Sequence, residues 1–243
     1  MIVFVHGVPE TAAIWRKVRA AIDQPSVALA LPGFGNPRPD GFSATKDAYL
    51  DWLVAELGKI DEPIDLVGHD WGAVLTYGVA LRHPGAVRSW VADVAGLMHP
   101  DYVWHDFAKI WQTPGEGEAF FESQDAQPVE ERAGGFELLF GLDHDDALEM
   151  ATGADATMGA CILDLYRSAT PNPHADWGPC SPTSDPGLAL HATEDPFGDG
   201  SMGQEVAQTL GARFEPIEGA GHFWPYDSPA AGAAVLESFW SSL

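Results

Sequence analysis

An aspartate between two glycines is the residue of this chain best placed to do chemistry. Asp70 stands at the centre of the string Gly-His-Asp-Trp-Gly over residues 68–72. The largely apolar segment 64–67 predicts a buried strand before it, and the apolar segment 73–81 predicts a helix after it. A sharp strand-to-helix turn needs glycine neighbours, because Cβ atoms would not fit there. A carboxylate at this turn attacks saturated carbon without losing a proton first, which predicts epoxides or alkyl halides as substrates.

Asp70 also suits a structural role, because aspartate is favoured at the N-cap of a helix. The two flanking glycines after a buried strand favour the catalytic interpretation, since an N-cap alone does not need them.

The ester formed by such a nucleophile must be hydrolysed, which requires a base and a water molecule. His222 is the candidate base, because it follows a predicted strand in the small-residue turn Gly219–Phe223. A base must in turn be held by a carboxylate. Asp195 lies after the strand containing residues 188–190 and is the favoured partner, with Glu194 as the alternative.

Two kinds of hydrogen-bond donor complete the predicted mechanism. The oxyanion of the ester-cleavage step needs backbone amides, and those of Val8 and Trp71 are the candidates. An epoxide opens only when its oxygen receives a proton or a hydrogen bond. Tyr166 is the leading candidate for this donor, although a lone Tyr at helical spacing is also typical of a core aromatic. Trp111 offers a second donor through its indole N–H.

Composition limits the partners of the protein. Its 36 acidic and 12 basic residues give a net charge of −24, which repels nucleic acid and anionic membranes. Two cysteines, Cys161 and Cys180, make no disulfide framework, and no leader or membrane-length apolar segment is present. We therefore expect a cytoplasmic monomer or homodimer that acts on a small apolar molecule and uses no metal or organic cofactor.

Strand and helix patterns alternate through residues 1–96 and again through 187–243, which predicts a parallel sheet flanked by helices. Residues 97–186 break this alternation. They contain helical patterns, no buried-strand pattern and many aromatic residues, which predicts a helical cap inserted over the sheet.

Together these residues resemble the epoxide hydrolase and haloalkane dehalogenase branch of the α/β-hydrolase superfamily. The resemblance is carried by His-Gly-Val-Pro at 6–9, by Gly-His-Asp-Trp-Gly-Ala at 68–73, and by Asp195 and Gly221-His222. It implies an α/β-hydrolase fold with a helical cap. The segment Leu165-Tyr166-Arg167 is similar to the cap segment that carries a ring-opening tyrosine in epoxide hydrolases.

The chain departs from that family in two places, and one further residue distinguishes between its members. Epoxide hydrolases carry a second cap tyrosine, and the resemblance puts Phe107, which cannot donate, at its position. Trp111 lies one helical turn further on and shares a helix face with Phe107, but a cap tryptophan also holds the halide in some dehalogenases. The dehalogenase type with Asn after His-Gly is disfavoured, because Val8 stands there. Family members also have two further strands before the His-Gly strand. None precedes it here, which predicts either a shortened sheet or a sequence that lacks its first strands.

The sequence therefore predicts an epoxide hydrolase that forms a vicinal diol through an Asp70 ester. The first alternative is a haloalkane dehalogenase in which the Trp71 and Trp111 indoles hold the halide. The second is a binding protein that kept the fold without the activity. The complete set of nucleophile, base and acid argues against that last alternative.

Overall fold

Six strands form a single sheet in which every neighbouring pair runs parallel. The computed structural model describes all residues from Met1 to Leu243. The strands are β1 (Ile2–Val5), β2 (Ser26–Leu29), β3 (Asp65–Gly68), β4 (Ser89–Ala92), β5 (Gly187–Ala192) and β6 (Arg213–Ile217). Their order across the sheet is β2-β1-β3-β4-β5-β6. The order reverses between β1 and β3, and this is where parallel sheets open a crevice for ligands.

Eleven α-helices accompany the sheet, and five of them lie between β4 and β5 in the chain. We call these five, α4 to α8, the helical insertion. No strand interrupts residues 93–186. The helices are α1 (Arg16–Ala20), α2 (Lys46–Leu57), α3 (Trp71–Arg82), α4 (Asp106–Gln112), α5 (Glu116–Asp125), α6 (Val129–Phe140), α7 (His144–Gly153), α8 (Ala156–Arg167), α9 (Gly200–Leu210), α10 (Trp224–Asp227) and α11 (Pro229–Trp240).

Two expected elements are shorter than the sequence pattern suggested. The apolar segment 87–95 predicts a long strand, but β4 contains only four residues. Val94 follows it with a φ of 41°, a left-handed conformation that extended backbone does not adopt. The helix predicted over 13–22 begins as a 3₁₀ turn over Ala12–Trp15, which the Thr11 hydroxyl caps by accepting from the Ala13 amide.

The sheet is buried on both faces. In β1, Val3 and Val5 pack into one apolar core while Ile2 and Phe4 pack into the other. Successive side chains of a strand point to opposite faces, so a fully apolar strand fits only between two layers of helices. None of the helices has the length and apolar character needed to cross a membrane.

Strand register determines which residues meet beyond the carboxyl ends of the strands. Val5 of β1 pairs with Gly68 of β3, and Gly68 pairs with Ala92 of β4. Three segments therefore leave the sheet at one level and side by side: residues 6–10, residues 69–70 and Asp93.

Candidate active site

Asp70 lies at a strained turn between β3 and α3. Its φ and ψ are 51° and −118°, a combination that is unusual for a residue with a side chain. A Cβ on Gly68 would lie 2.2 Å from the Gly72 carbonyl oxygen, and one on Gly72 would lie 2.2 Å from the Val5 carbonyl oxygen. The Asp70 side chain makes no capping hydrogen bond to α3. Its carboxylate is therefore free for another role, as the glycine pattern indicated.

One backbone amide of the expected oxyanion pair contacts Asp70 directly. The Val8 N–H donates to Oδ1 of Asp70 over 2.9 Å. No hydrogen bond joins the Trp71 amide to this carboxylate, and Val8 is the only backbone donor to it. The loop after β1 thus fixes the orientation of the carboxylate in the resting state.

His222 lies against the other oxygen of Asp70. Its Nε2 is 3.9 Å from Asp70 Oδ2, and its Nδ1 donates to Asp195 Oδ2 over 3.0 Å. Asp195 also accepts from the Phe197 amide over 2.8 Å, which holds the carboxylate in place. Glu194, the alternative acid, is exposed. The structure thus brings Asp70, His222 and Asp195 together from three separate loops.

Burial and charge set the ionisation of this group. Burial raises the pKa of Asp70 to about 6, with a further contribution from the Glu10 carboxylate, while His222 and His69 oppose the shift. Burial alone would lower the pKa of His222, but the Asp195 carboxylate outweighs it and leaves that pKa raised. Asp195 is buried too, yet its contacts with His222 hold its pKa below the usual value.

A cavity of about 280 Å³ lies between Asp70 and the helical insertion. Its walls are mostly aromatic and aliphatic, which suits an apolar molecule. The predicted residues that line it are Val8, Asp70, Phe107, Trp111, Tyr166 and His222, whereas Trp71 does not line it.

Tyr166 lies in the last turn of α8, between two tryptophans. Its ring centroid is 5.3 Å from that of Trp71 and 4.8 Å from that of Trp111. Its side chain is 2% exposed, and it lines the cavity that also contains Asp70. Burial, together with the charge of Asp70, holds the pKa of Tyr166 well above the usual value, so the phenol keeps its proton.

Phe107 and Trp111 stack on each other along α4, with ring centroids 6.0 Å apart. The Trp111 indole N–H is buried and has no hydrogen-bond partner, and the same holds for the indole of Trp71. Both indoles are therefore donors without acceptors.

His105 is a cavity residue that sequence reasoning missed. It is the N-cap of α4, where its Nδ1 accepts from the Ala108 amide over 3.2 Å. A neutral imidazole with Nδ1 as acceptor carries its proton on Nε2. Burial lowers the pKa of His105 to about 4, so the ring is neutral at ordinary pH. Histidine is not among the preferred N-cap residues, so cap patterns did not point to it.

Three side chains near Asp70 have the chemistry of metal ligands. Ligand atoms of Glu10, His69 and His222 all lie within 4.8 Å of one another. Nε2 of His69 already faces Oε1 of Glu10 at 3.1 Å, and His222 is held by Asp195.

Comparison with known proteins agrees with this architecture. The family model described as alpha/beta hydrolase matches residues 2–235, nearly the whole chain. The chain belongs to the alpha/beta hydrolase family. The six-stranded parallel sheet flanked by helices is the fold of that family.

Relatives of this alpha/beta hydrolase carry both of the activities that the motifs suggest. A haloalkane dehalogenase of Bradyrhizobium diazoefficiens is 29% identical over 142 residues, which are 49% of this chain and 44% of that protein. An epoxide hydrolase of Siraitia grosvenorii is 31% identical over 144 residues, which are 51% of this chain and 45% of that protein. The aligned part of the chain thus spans less than half the length of these two relatives.

Solved structures show the same fold. An epoxide hydrolase from Vigna radiata superimposes with a TM-score of 0.75 at 18% identity, covering 100% of this chain and 91% of that one. At this identity the likeness concerns the fold of the hydrolase and not its substrate.

Proposed function

We propose that this hydrolase converts epoxides to vicinal diols. The Asp70 carboxylate attacks the less hindered epoxide carbon, the carbon–oxygen bond breaks, and the departing oxygen takes the proton of Tyr166. His222, oriented by Asp195, then removes a proton from water, and the hydroxide attacks the ester carbonyl. The amides of Val8 and Trp71 receive the oxyanion. Collapse of the tetrahedral intermediate breaks the ester bond, and the leaving alkoxide takes the carboxyl proton of Asp70, which gives the diol. His222 returns its proton to the Tyr166 phenolate.

The position of Tyr166 in the cavity that contains Asp70 is the observation that carries this proposal. The pKa of this tyrosine is held well above the usual value, so the phenol keeps a proton that it can donate in this cavity. An alkoxide is a far more basic leaving group than a halide, so only epoxide opening needs a proton donor at this position. The apolar lining supports a small apolar substrate, and we propose that residues 97–186 act as the cap that encloses it.

His105 offers a second donor where the family resemblance leaves only Phe107. Its Nδ1 is occupied by the Ala108 amide, so Nε2 carries the proton that can bind the epoxide oxygen. Its ring centroid is 6.3 Å from that of Tyr166 and 6.2 Å from that of Trp111. We propose that Tyr166 and His105 share the epoxide oxygen.

A haloalkane dehalogenase is the second candidate function. The observation in its favour is the pair of buried indole N–H groups without acceptors, on Trp71 and Trp111. Tyr166 packs against both indoles, however, and Trp71 does not line the cavity. This arrangement favours epoxide hydrolysis over dehalogenation.

Matched substrates distinguish the two functions. We expect wild type to turn over a terminal epoxide faster than the corresponding bromide. Tyr166→Phe should lower the rate of epoxide opening by about a hundredfold or more, the usual cost of losing a well-placed proton donor, and should change bromide turnover far less.

Tyr226→Phe is the matched control, because its hydroxyl donates to Glu149, and the ring does not line the cavity. Turnover of the bromide and not the epoxide would establish the dehalogenase instead. Unchanged epoxide turnover in Tyr166→Phe would make Tyr166 a core aromatic. Absence of turnover with broad panels of both substrates would favour a binding protein.

A further inference from the structure

A second set of buried ionisable groups lies next to Asp70, and the proposed mechanism assigns no step to it. His69, the residue before the nucleophile, is completely buried between two carboxylates. Its Nδ1 is 2.5 Å from Oδ2 of Asp93, and its Nε2 is 3.1 Å from Oε1 of Glu10. The contact with Glu10 lacks hydrogen-bond geometry, so the attraction there is mainly between charges.

The surroundings of His69 favour its protonated form. Both of its ring nitrogens face carboxylate oxygens, and only the protonated ring offers a hydrogen on each. Burial alone would lower the pKa of His69, but Asp93 and Glu10 together raise it well above the usual value.

Each of these carboxylates uses its other oxygen to hold backbone of the catalytic site. Oε2 of Glu10 accepts from the Gly7 amide over 3.1 Å, next to the Val8 amide that donates to Asp70. Oδ1 of Asp93 accepts from the backbone amide of Asp70 itself over 2.9 Å. His69 thus connects the loop after β1 with the turn that presents the nucleophile.

The same cluster reaches the loop of the base. Oδ2 of Asp93 also accepts from the Trp224 indole over 2.7 Å, and Trp224 lies two residues after His222. The rings of His69 and His222 have centroids 4.9 Å apart. Three loops far apart in sequence therefore converge on one buried histidine.

We propose that His69 is a positioning residue whose positive charge holds the Gly7–Val8 loop and the Asp70 turn together. That charge also offsets the two buried carboxylates beside the nucleophile, so that Asp70 remains ionised and ready to attack. This inference rests on the proposed role of Asp70 as nucleophile, and it applies to epoxides and alkyl halides alike.

The charges around Asp70 determine the direction in which its pKa should shift when one of them is removed. Glu10 favours the protonated form of Asp70, whereas His222 and His69 favour the ionised form. Other groups near His69 are His6, which is buried beside Glu10, and His222. Loss of the His69 charge leaves Glu10 without its counter-charge, and Asp70 then binds its proton more tightly.

Two substitutions should move the pH profile in opposite directions. The profile of kcat/KM reports groups of the free enzyme up to the first irreversible step, here the attack by Asp70. His69→Asn keeps an amide donor for Asp93 but carries no charge. We expect a lower kcat/KM and an acid limb about one pH unit or more higher, the shift typical of losing a neighbouring opposite charge. Glu10→Gln should move the acid limb to lower pH.

The double variant His69→Asn/Glu10→Gln tests the coupling between the two charges. We expect its acid limb to lie between those of the single variants, because the uncompensated carboxylate is gone. If His69 served only in packing, His69→Asn would lower thermal stability and kcat/KM without moving the acid limb. Adding Glu10→Gln to that variant would then not restore kcat/KM. That result would overturn the proposal.

Nitrogen-15 NMR of the wild type supplies a measurement that needs neither substrate nor a mutant that folds. We expect both His69 ring nitrogens to be protonated at pH 7, because the two carboxylates raise the pKa of the ring. A neutral His69 ring at pH 7 would refute the inference, even with an active enzyme. Conversely, a wild type that turns over neither substrate would refute the proposed function, while a persistent imidazolium would still support the buried cation. If His69→Asn does not fold, the pH profile of Glu10→Gln and the NMR titration of the wild type test the role of His69 instead.

Discussion

Replacing Gly7 with alanine should disable the nucleophile without altering any reacting group. A Cβ on Gly7 would lie 2.3 Å from Oδ1 and 2.4 Å from Cβ of Asp70. Ordinary contact begins at 3.4 Å, so the loop and the carboxylate must separate by about 1.1 Å. A misplacement of about 1 Å costs roughly a hundredfold in rate. We expect kcat/KM of Gly7→Ala to fall by about that factor, because the Val8 contact to Asp70 moves as well.

The assay compares kcat/KM for the best wild-type substrate with the thermal midpoint of the same preparation. Gly134→Ala in α6 is the matched control, because nothing lies within 4 Å of a Cβ there. Alanine is favoured over glycine inside a helix by roughly 0.5–1 kcal/mol, so the control should be active and slightly more stable. A folded Gly7→Ala enzyme with kcat/KM within about threefold of wild type would refute the reasoning, since the added Cβ must displace the loop or the carboxylate.

His222→Gln should leave the attack by Asp70 intact and trap the ester, because the base acts only in the second step. Intact-protein mass spectrometry should show one substrate-sized adduct, and a folded variant that forms none would place His222 in substrate activation. The kcat/KM of wild type should fall as the pH drops below about 6, because Asp70 attacks only when ionised and its pKa is raised to about 6. An acid limb near pH 4 in stopped-flow measurements would contradict the effect of burial on Asp70.

The sequence by itself determined the features that depend on neighbours along the chain. The glycines at 68 and 72 identify the turn that presents Asp70, because the crowding they relieve arises within the turn and from the adjacent strand β1. The apolar run Ile2–Val5 identifies a strand buried on both faces. The parallel sheet and its family follow from such local patterns. The position after a strand fits Glu194 and Asp195 alike, and the structure places Asp195 against His222.

Tertiary structure alone decided which distant groups share one space. The cluster of Glu10, His69 and Asp93 forms because β1, β3 and β4 end at the same level in the sheet, and this register is a property of pairing between strands. His105 reaches the cavity as an N-cap because the helical insertion folds back over Asp70. Such contacts depend on how separate segments pack, and residue types along a single segment do not encode them. The sequence therefore predicted the turn that carries Asp70, whereas the structure revealed the buried cluster around His69 beside it.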